Sequence, residues 1–201
     1  MNLKHSLRVP LLAAGCAYFL VTPQQALVAQ DAPPPGVKAA SRPQPAPGSW
    51  WVHRKAKTGD VRIELIAVED DTFVTRYGDR TKRYTNEWNA LDGRSGKTGK
   101  PITYIPHLSV LSFPLWPEKK WEQKVRWQSG SASGTFMVRQ EAKTWERVSV
   151  SAGDFEALRI EGTAGRNKSV CWYAVEVQWH VKCDSANPRF KWELVEFELA
   201  K

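Results

Sequence analysis

Val148 to Gly162 reads VSVSAGDFEALRIEG: it alternates apolar and polar side chains, breaks at Ser-Ala-Gly-Asp, then alternates again. Val148 and Val150 share one face before the break. Leu158 and Ile160 share one after it, with Arg159 and Glu161 opposite. A period of two is the mark of a strand with one wet face. At the break Gly153 can adopt a positive φ and Asp154 can hydrogen-bond nearby backbone, and both are turn chemistry. The stretch therefore reads as two antiparallel strands joined by a turn. The rival reading, a reactive Ser151 beside Asp154, lacks the Gly-x-Ser-x-Gly frame, and nothing marks a histidine within reach of the serine. No residue is assigned a catalytic role, and the chain is expected not to be an enzyme.

Working outward, the same period recurs. Val61 to Leu65 alternates apolar and charged residues, Glu69-Asp70-Asp71 turns the chain, and Thr72 to Tyr77 is rich in β-branched and aromatic residues. Gly78-Asp79 turns it again into Arg80 to Thr85. In KWEQKVRWQ, Lys120 to Gln128, Trp121, Gln123, Val125 and Trp127 take one face, and Glu122, Lys124, Arg126 and Gln128 the other. Thr135 to Gln140 and Thr144 to Val150 read as two further strands. In the last segment Phe190, Trp192 and Leu194 share a phase that slips to Val195, Phe197 and Leu199, which predicts a bulge. No window from 50 to 201 carries a long 3.6-residue period. The fold class expected is all-β: a single antiparallel, strongly curved sheet, half-barrel or barrel.

The first residues differ in kind. Lys4 and Arg8 precede an apolar run, Val9 to Val21, that is short for a membrane span but suits a secretory signal. The division expected is a signal peptide over 1–29, a Pro-rich disordered linker over 30–49 and one antiparallel β domain over 50–201. The linker carries six prolines and, Val37 apart, no large branched or aromatic residue. Ala13-Ala14-Gly15-Cys16 offers a second reading, lipidation at Cys16. Either way the chain is expected to be exported, periplasmic or secreted, with no transmembrane helix after signal cleavage.

The formal charge of +8 falls to +6 when Lys4 and Arg8 leave with the signal. A moderately basic exported protein is drawn to anionic lipid or cell-wall polymer, and nucleic acid is not an expected partner. Arg94, Lys97, Lys100, Lys119 and Lys120 are the candidate contacts to an anionic surface. Gly96-Lys97-Thr98 resembles the end of a phosphate loop, but Leu91 stands where that loop needs glycine and Pro101 follows closely, so a flexible basic loop is the better reading. Cys171 and Cys183 flank CWYAVEVQWHVKC, which reads as a hairpin. With its turn centred on Val177 the two lie opposite one another, and a disulfide is expected. A metal site from Cys171, His180 and Cys183 is the alternative, and it lacks an obvious fourth ligand. No metal and no cofactor are assigned.

Ten tryptophans are unusual for this length. Most are read as core, because the wide interior of a curved sheet needs large side chains. Trp121, Val125, Trp127, Trp172 and Trp179 are the candidates to line a ligand site, since Trp offers a broad apolar face with one polar handle.

Three stretches together resemble a known family. Ser112 to Trp121, SFPLWPEKKW, resembles a Phe-Pro-Leu then Gly-Lys-x-Trp motif. Val148 to Ile160 resembles Val-x-Val-Pro-Ala-Gly-x-Phe-x-Ala-Leu-x-Ile. Trp172 to Val177 with Val181-Lys182 resembles Trp-Tyr-x-Pro-x-Val-Gly-x-Val-Val-Lys. Glu193-Leu194-Val195 also fits. Such motifs recur in TapB-like exported bacterial β-rich domains of unknown function. The resemblance covers about residues 104 to 199 and departs from the pattern at Ser151, Val175 and Gln178. It implies an envelope-facing antiparallel β domain and carries over no catalytic residue. Two functional expectations follow: a non-enzymatic exported binding module for a protein or cell-wall partner, or a carrier holding a lipid or other apolar ligand inside the curved sheet.

Overall fold

The computed structural model of the chain describes residues 32–55, 58–95 and 98–201. The signal and the lipidation reading at Cys16 therefore lie outside the described residues. Twelve antiparallel strands follow in order: β1 (Trp50–Lys55), β2 (Gly59–Glu69), β3 (Thr72–Tyr77), β4 (Arg80–Thr85), β5 (Ala90–Arg94), β6 (Pro101–Leu108), β7 (Lys120–Ser129), β8 (Ala132–Val150), β9 (Gly153–Ala164), β10 (Asn167–Ala174), β11 (Trp179–Ser185) and β12 (Trp192–Glu198). Each pairs with its neighbours in sequence, and β1 meets β12 to close the sheet into a barrel. Closure removes the unpaired edges that an open sheet of this size presents. The ladder between β4 and β5 is the thinnest, with one registered pair, Tyr84 with Ala90.

The opening stretch of sequence is the β8–β9 hairpin. Gly153 takes a φ of 132° at its turn, and Asp154 accepts hydrogen bonds from the Ser149 hydroxyl and the Arg147 guanidinium. The Ser151 hydroxyl donates to Glu193, which ties the hairpin tip to β12. The slip predicted near Leu194 is present: Trp51 pairs with Phe197 while His53 pairs with Leu194. The two strands expected over 135–150 are one long strand, β8, with an irregularity between Ala142 and Trp145. Of the loop expected around Leu91 to Thr98, residues 91–94 belong to β5.

In a meander the odd and even connections lie at opposite ends. The β2–β3, β4–β5, β6–β7, β8–β9 and β10–β11 connections gather at one end, with the start of β1. Residues 32–49 cross that end. Ala40 forms a two-way bridge with Leu115, Lys38 pairs with Glu156, Arg42 pairs with Glu87 at 2.9 Å, and the Gln44 amide donates to the Gln178 side chain at 2.7 Å. Ala40, Pro43, Pro45 and Ser49 are buried. This corrects the disordered linker: prolines and alanines cannot build a core of their own, but they can seat on one already formed. The segment is a strap over the barrel end.

Beneath the strap the lumen is filled. Trp88 stacks on Trp179 at 4.0 Å, and Trp51 meets both edge-on. Phe73 and Tyr84 pack around them. The indole N–H of Trp51 donates to the Val177 carbonyl at 3.0 Å and that of Trp88 to the Gln178 carbonyl at 2.8 Å, so both polar handles are satisfied. The buried Asn89 exchanges two hydrogen bonds with the Leu111 backbone, each 2.9 Å, and pins the β6–β7 connection against the core.

Candidate functional site

Three adjacent registers run straight across β7 to β10, and two of them continue onto β11. One is Lys120–Glu141–Glu161–Val170–Asp184, the next Trp121–Gln140–Gly162–Ser169–Ser185, the third Glu122–Arg139–Thr163–Lys168. An open groove of about 1580 Å³ lies along them, walled at one end by Ser112, Trp116 and Glu118 and at the other by Ala186. At mid-span the Gln140 carboxamide lies over Gly162. A methyl group there would collide with the Gln140 carboxamide and the Arg139 carbonyl.

The groove is charged and balanced. Arg139 pairs with Glu122 at 3.1 Å, Lys143 and Lys120 share Glu141 at 2.7 and 3.6 Å, and Arg159 pairs with Glu161 at 2.5 Å. The hydrogen bond from Lys143 holds the Glu141 carboxyl below its usual range against an opposing effect of burial, and Lys120 adds to the lowering. Exposed pairs of this kind contribute little to stability. They can therefore be exchanged for a partner's charges at low cost. Among the described residues no group of three or more His, Cys, Asp or Glu side chains is placed to hold a metal ion.

The sequence-derived residues fall in different places. Cys171 and Cys183 are directly paired and disulfide-bonded, with Cα atoms 4.1 Å apart. A register shift between Trp172 and Tyr173 accommodates this pairing with the turn that follows. Trp121, Val125 and Trp127 share one face of β7, as alternation requires. Val125 is fully buried and the two tryptophans half-buried. Trp121 donates to the Ser109 carbonyl at 3.3 Å, and Trp127 lies against Gly134, where no side chain could fit. The groove takes in Trp121 but neither Val125 nor Trp127. Trp179 belongs to the filled core. Trp172 is half-buried, donates to Glu146 at 2.6 Å and lies under the Lys182 ammonium.

The basic candidates are equally divided. Lys119 donates to the Ser112 and Pro114 carbonyls at 2.6 and 2.8 Å, so its ammonium braces the β6–β7 connection. Lys120 is exposed at the groove. Arg94 donates to the Gly99 carbonyl across the β5–β6 turn at 2.8 Å, and Lys100 is exposed there. Lys97 lies outside the described residues. The four described residues do not form one patch.

Sequence reasoning considered His180 only as a metal ligand and gave His53 no role, and the structure buries both. His53 stacks on Trp192 at 3.9 Å and meets Trp179 edge-on at 5.4 Å. His180 meets Tyr173 and Trp192 edge-on. Burial pushes both imidazoles toward the neutral form. His180 falls to about 4, and for His53 the nearby Lys55 and His180 charges add to the burial effect. For His53 the signal available beforehand was only its alternation with Trp51, on a strand that had not been assigned, while His180 already lay on the hairpin read from Cys171 to Cys183.

Comparison with protein families and with curated proteins finds no match. Three solved structures are similar. The hypothetical lipoprotein YmcC of Escherichia coli is 12% identical, with a TM-score of 0.46 over 70% of this chain and 80% of that one. A candidate exported protein with a YmcC-like fold from Bacteroides fragilis is 11% identical, with a TM-score of 0.40 over 80% of this chain and 100% of that one. A candidate lipoprotein from Parabacteroides distasonis is 13% identical, with a TM-score of 0.38 over 80% and 100%. At such identities and scores, nothing about activity or partners passes from them to this chain. The TapB-like label finds no support in these comparisons, while the antiparallel β domain that it implied is the fold observed.

Proposed function

We propose that the chain is a non-enzymatic exported binding module that contacts a protein or cell-wall partner through the groove across β7 to β11. The groove itself carries this reading: five strands in register line an open trough of about 1580 Å³, and β7 to β9 present exchangeable ion pairs along it. The leader-like first residues and the disulfide support export. A carrier of an apolar ligand is the second reading, favoured by the half-exposed Trp121 and Trp127 and opposed by the filled lumen under the strap.

The test is a photo-crosslinking amino acid placed at Thr163 in the groove or at the exposed Ile105 on β6, in protein exported by its host. A discrete adduct from Thr163 alone, lost in E141K/E161K, is the expected outcome. Adducts of equal yield from both positions, or none, would remove the groove from consideration. A lipid-sized mass that leaves the protein on denaturation would favour the carrier instead.

A further inference from the structure

The groove across β7 to β11 has two charged edges, and the alternation of a strand explains them. Residues two apart on one strand share a face, so the first and third registers point outward while the middle one points inward. In that middle register Trp121 packs against the core, and Gln140 stands between the fully buried Val138 and Ala142. The charged side chains that line the groove therefore stand along its two edges.

From β8 to β11 the edges are opposite in sign. One carries Glu141, Glu161 and Asp184, with the uncharged Val170 before the last. The other carries Arg139 and Lys168, with Thr163 between them. The three carboxylates are paired from behind, by Lys143, Arg159 and Lys191 at 2.7, 2.5 and 3.0 Å, and none of these cations lines the groove. Lys168 is exposed and forms no ion pair among the described residues. At β7 the signs reverse. There Lys120 lies 3.6 Å from Glu141, and Glu122 lies 3.1 Å from Arg139. The chain's own side chains thus show which charges each edge accepts: a cation on the first and an anion on the second.

The three strand spacings from β8 to β11 span about 14 Å, the length of four or five residues of extended chain. Such a chain laid along the groove sends successive side chains to opposite sides. If its charges alternate, every cation meets the acidic edge and every anion the basic one. A partner of one sign suits one edge and is repelled by the other. The strands beneath already pair with one another, so the groove offers no free sheet edge and recognition falls to side chains. Single exposed pairs contribute little, and only the matching order of charges brings several together at once.

We propose that the groove takes an extended protein segment whose charges alternate in sign from residue to residue. This rests on the groove being the binding site, as inferred above, and adds the chemistry of its partner.

The test is fluorescence anisotropy with two labelled hexapeptides of one composition and blocked ends. One alternates lysine and glutamate, and the other has three lysines followed by three glutamates. Both are titrated with the full exported protein at low ionic strength, where exposed charges are least screened. The alternating peptide is expected to bind saturably and at least tenfold more tightly than the other. E141K/E161K makes both edges basic and should weaken that binding at least tenfold. Adding R139E/K168E reverses both edges at the native net charge and should restore it, because a one-residue shift of the peptide exchanges its two sides. Equal affinity for the two peptides, or no saturable binding of the alternating one, overturns the proposal. So does a folded quadruple variant that fails to recover. Should the variants not fold, the comparison of the two peptides on the native protein decides. The Thr163 adduct in exported protein separates the two readings: if it persists while the peptides fail, the segment falls and the groove stands, and if it is also absent, both fall.

Discussion

The buried histidines make stability depend on acid in a defined direction. In the unfolded chain an imidazole takes up a proton near pH 6.5. In the fold His180 resists protonation until about pH 4, and burial, Lys55 and His180 push His53 the same way. Above pH 6.5 both states hold neutral imidazoles and the fold has its full stability. As pH falls from 6.5 toward 4, the unfolded chain binds protons that the folded chain refuses, and stability is lost. His180 alone accounts for about 3 kcal/mol over that window. Urea unfolding at pH 7.5 and 4.5 measures it, and a midpoint that does not move between them would contradict the burial. The carboxyls of Asp60 and Asp154, lowered by Arg54 and by Ser149 with Arg147, lose their contributions at more acid pH, so they do not mimic the effect. None of this was visible in sequence. His53 and His180 lie on strands far apart in the chain, and only closure of the barrel brings both against Trp192.

Strands bounded by strong punctuation were legible. β3 and β4 begin and end where Glu69-Asp70-Asp71 and Gly78-Asp79 place them, because paired aspartates and a Gly-Asp step leave little choice of turn. β5 and β6 were not, since glycine and the prolines at 101 and 106 mark loops by composition and the ladder between β4 and β5 is too thin to impose a pattern. β8 was divided because Lys143 and Thr144 interrupt its alternation, although the chain continues through the irregularity as one strand. The β10–β11 hairpin was read correctly as far as its bond. Cross-linking two residues that enclose a short loop restricts the unfolded chain. The C171S/C183S protein is expected to unfold at lower denaturant, with a loss of about 2–3 kcal/mol. An unchanged midpoint would mean that the hairpin holds its register without the bond.

At the scale of the molecule, the strap was misread for a reason composition cannot overcome. Residues 32–49 hold nothing that would drive them to fold alone, and what orders them is the barrel end that they cover. A protein beginning at Trp50 is expected to keep the barrel but to leave the Leu115 backbone unpaired and the seats of Ala40, Pro43 and Pro45 open. Its Tm should fall by roughly 5–10 °C, and a calorimetric scan of the two lengths shows whether it does. An equal Tm would make the strap a passenger.

Every ladder but one joins strands consecutive in the chain, and the exception is β1 with β12. During synthesis, hairpin after hairpin can zip as it emerges, but Trp50 waits for Glu198, its partner at the far end of the domain. Until the last few residues are made, the growing sheet offers two sticky margins, one on β1 and one on the newest strand. A chain halted short of its final strand therefore differs from a finished one in more than length: it stays open to pairing with its neighbours, and a nascent protein of this design needs protection until its last strand arrives.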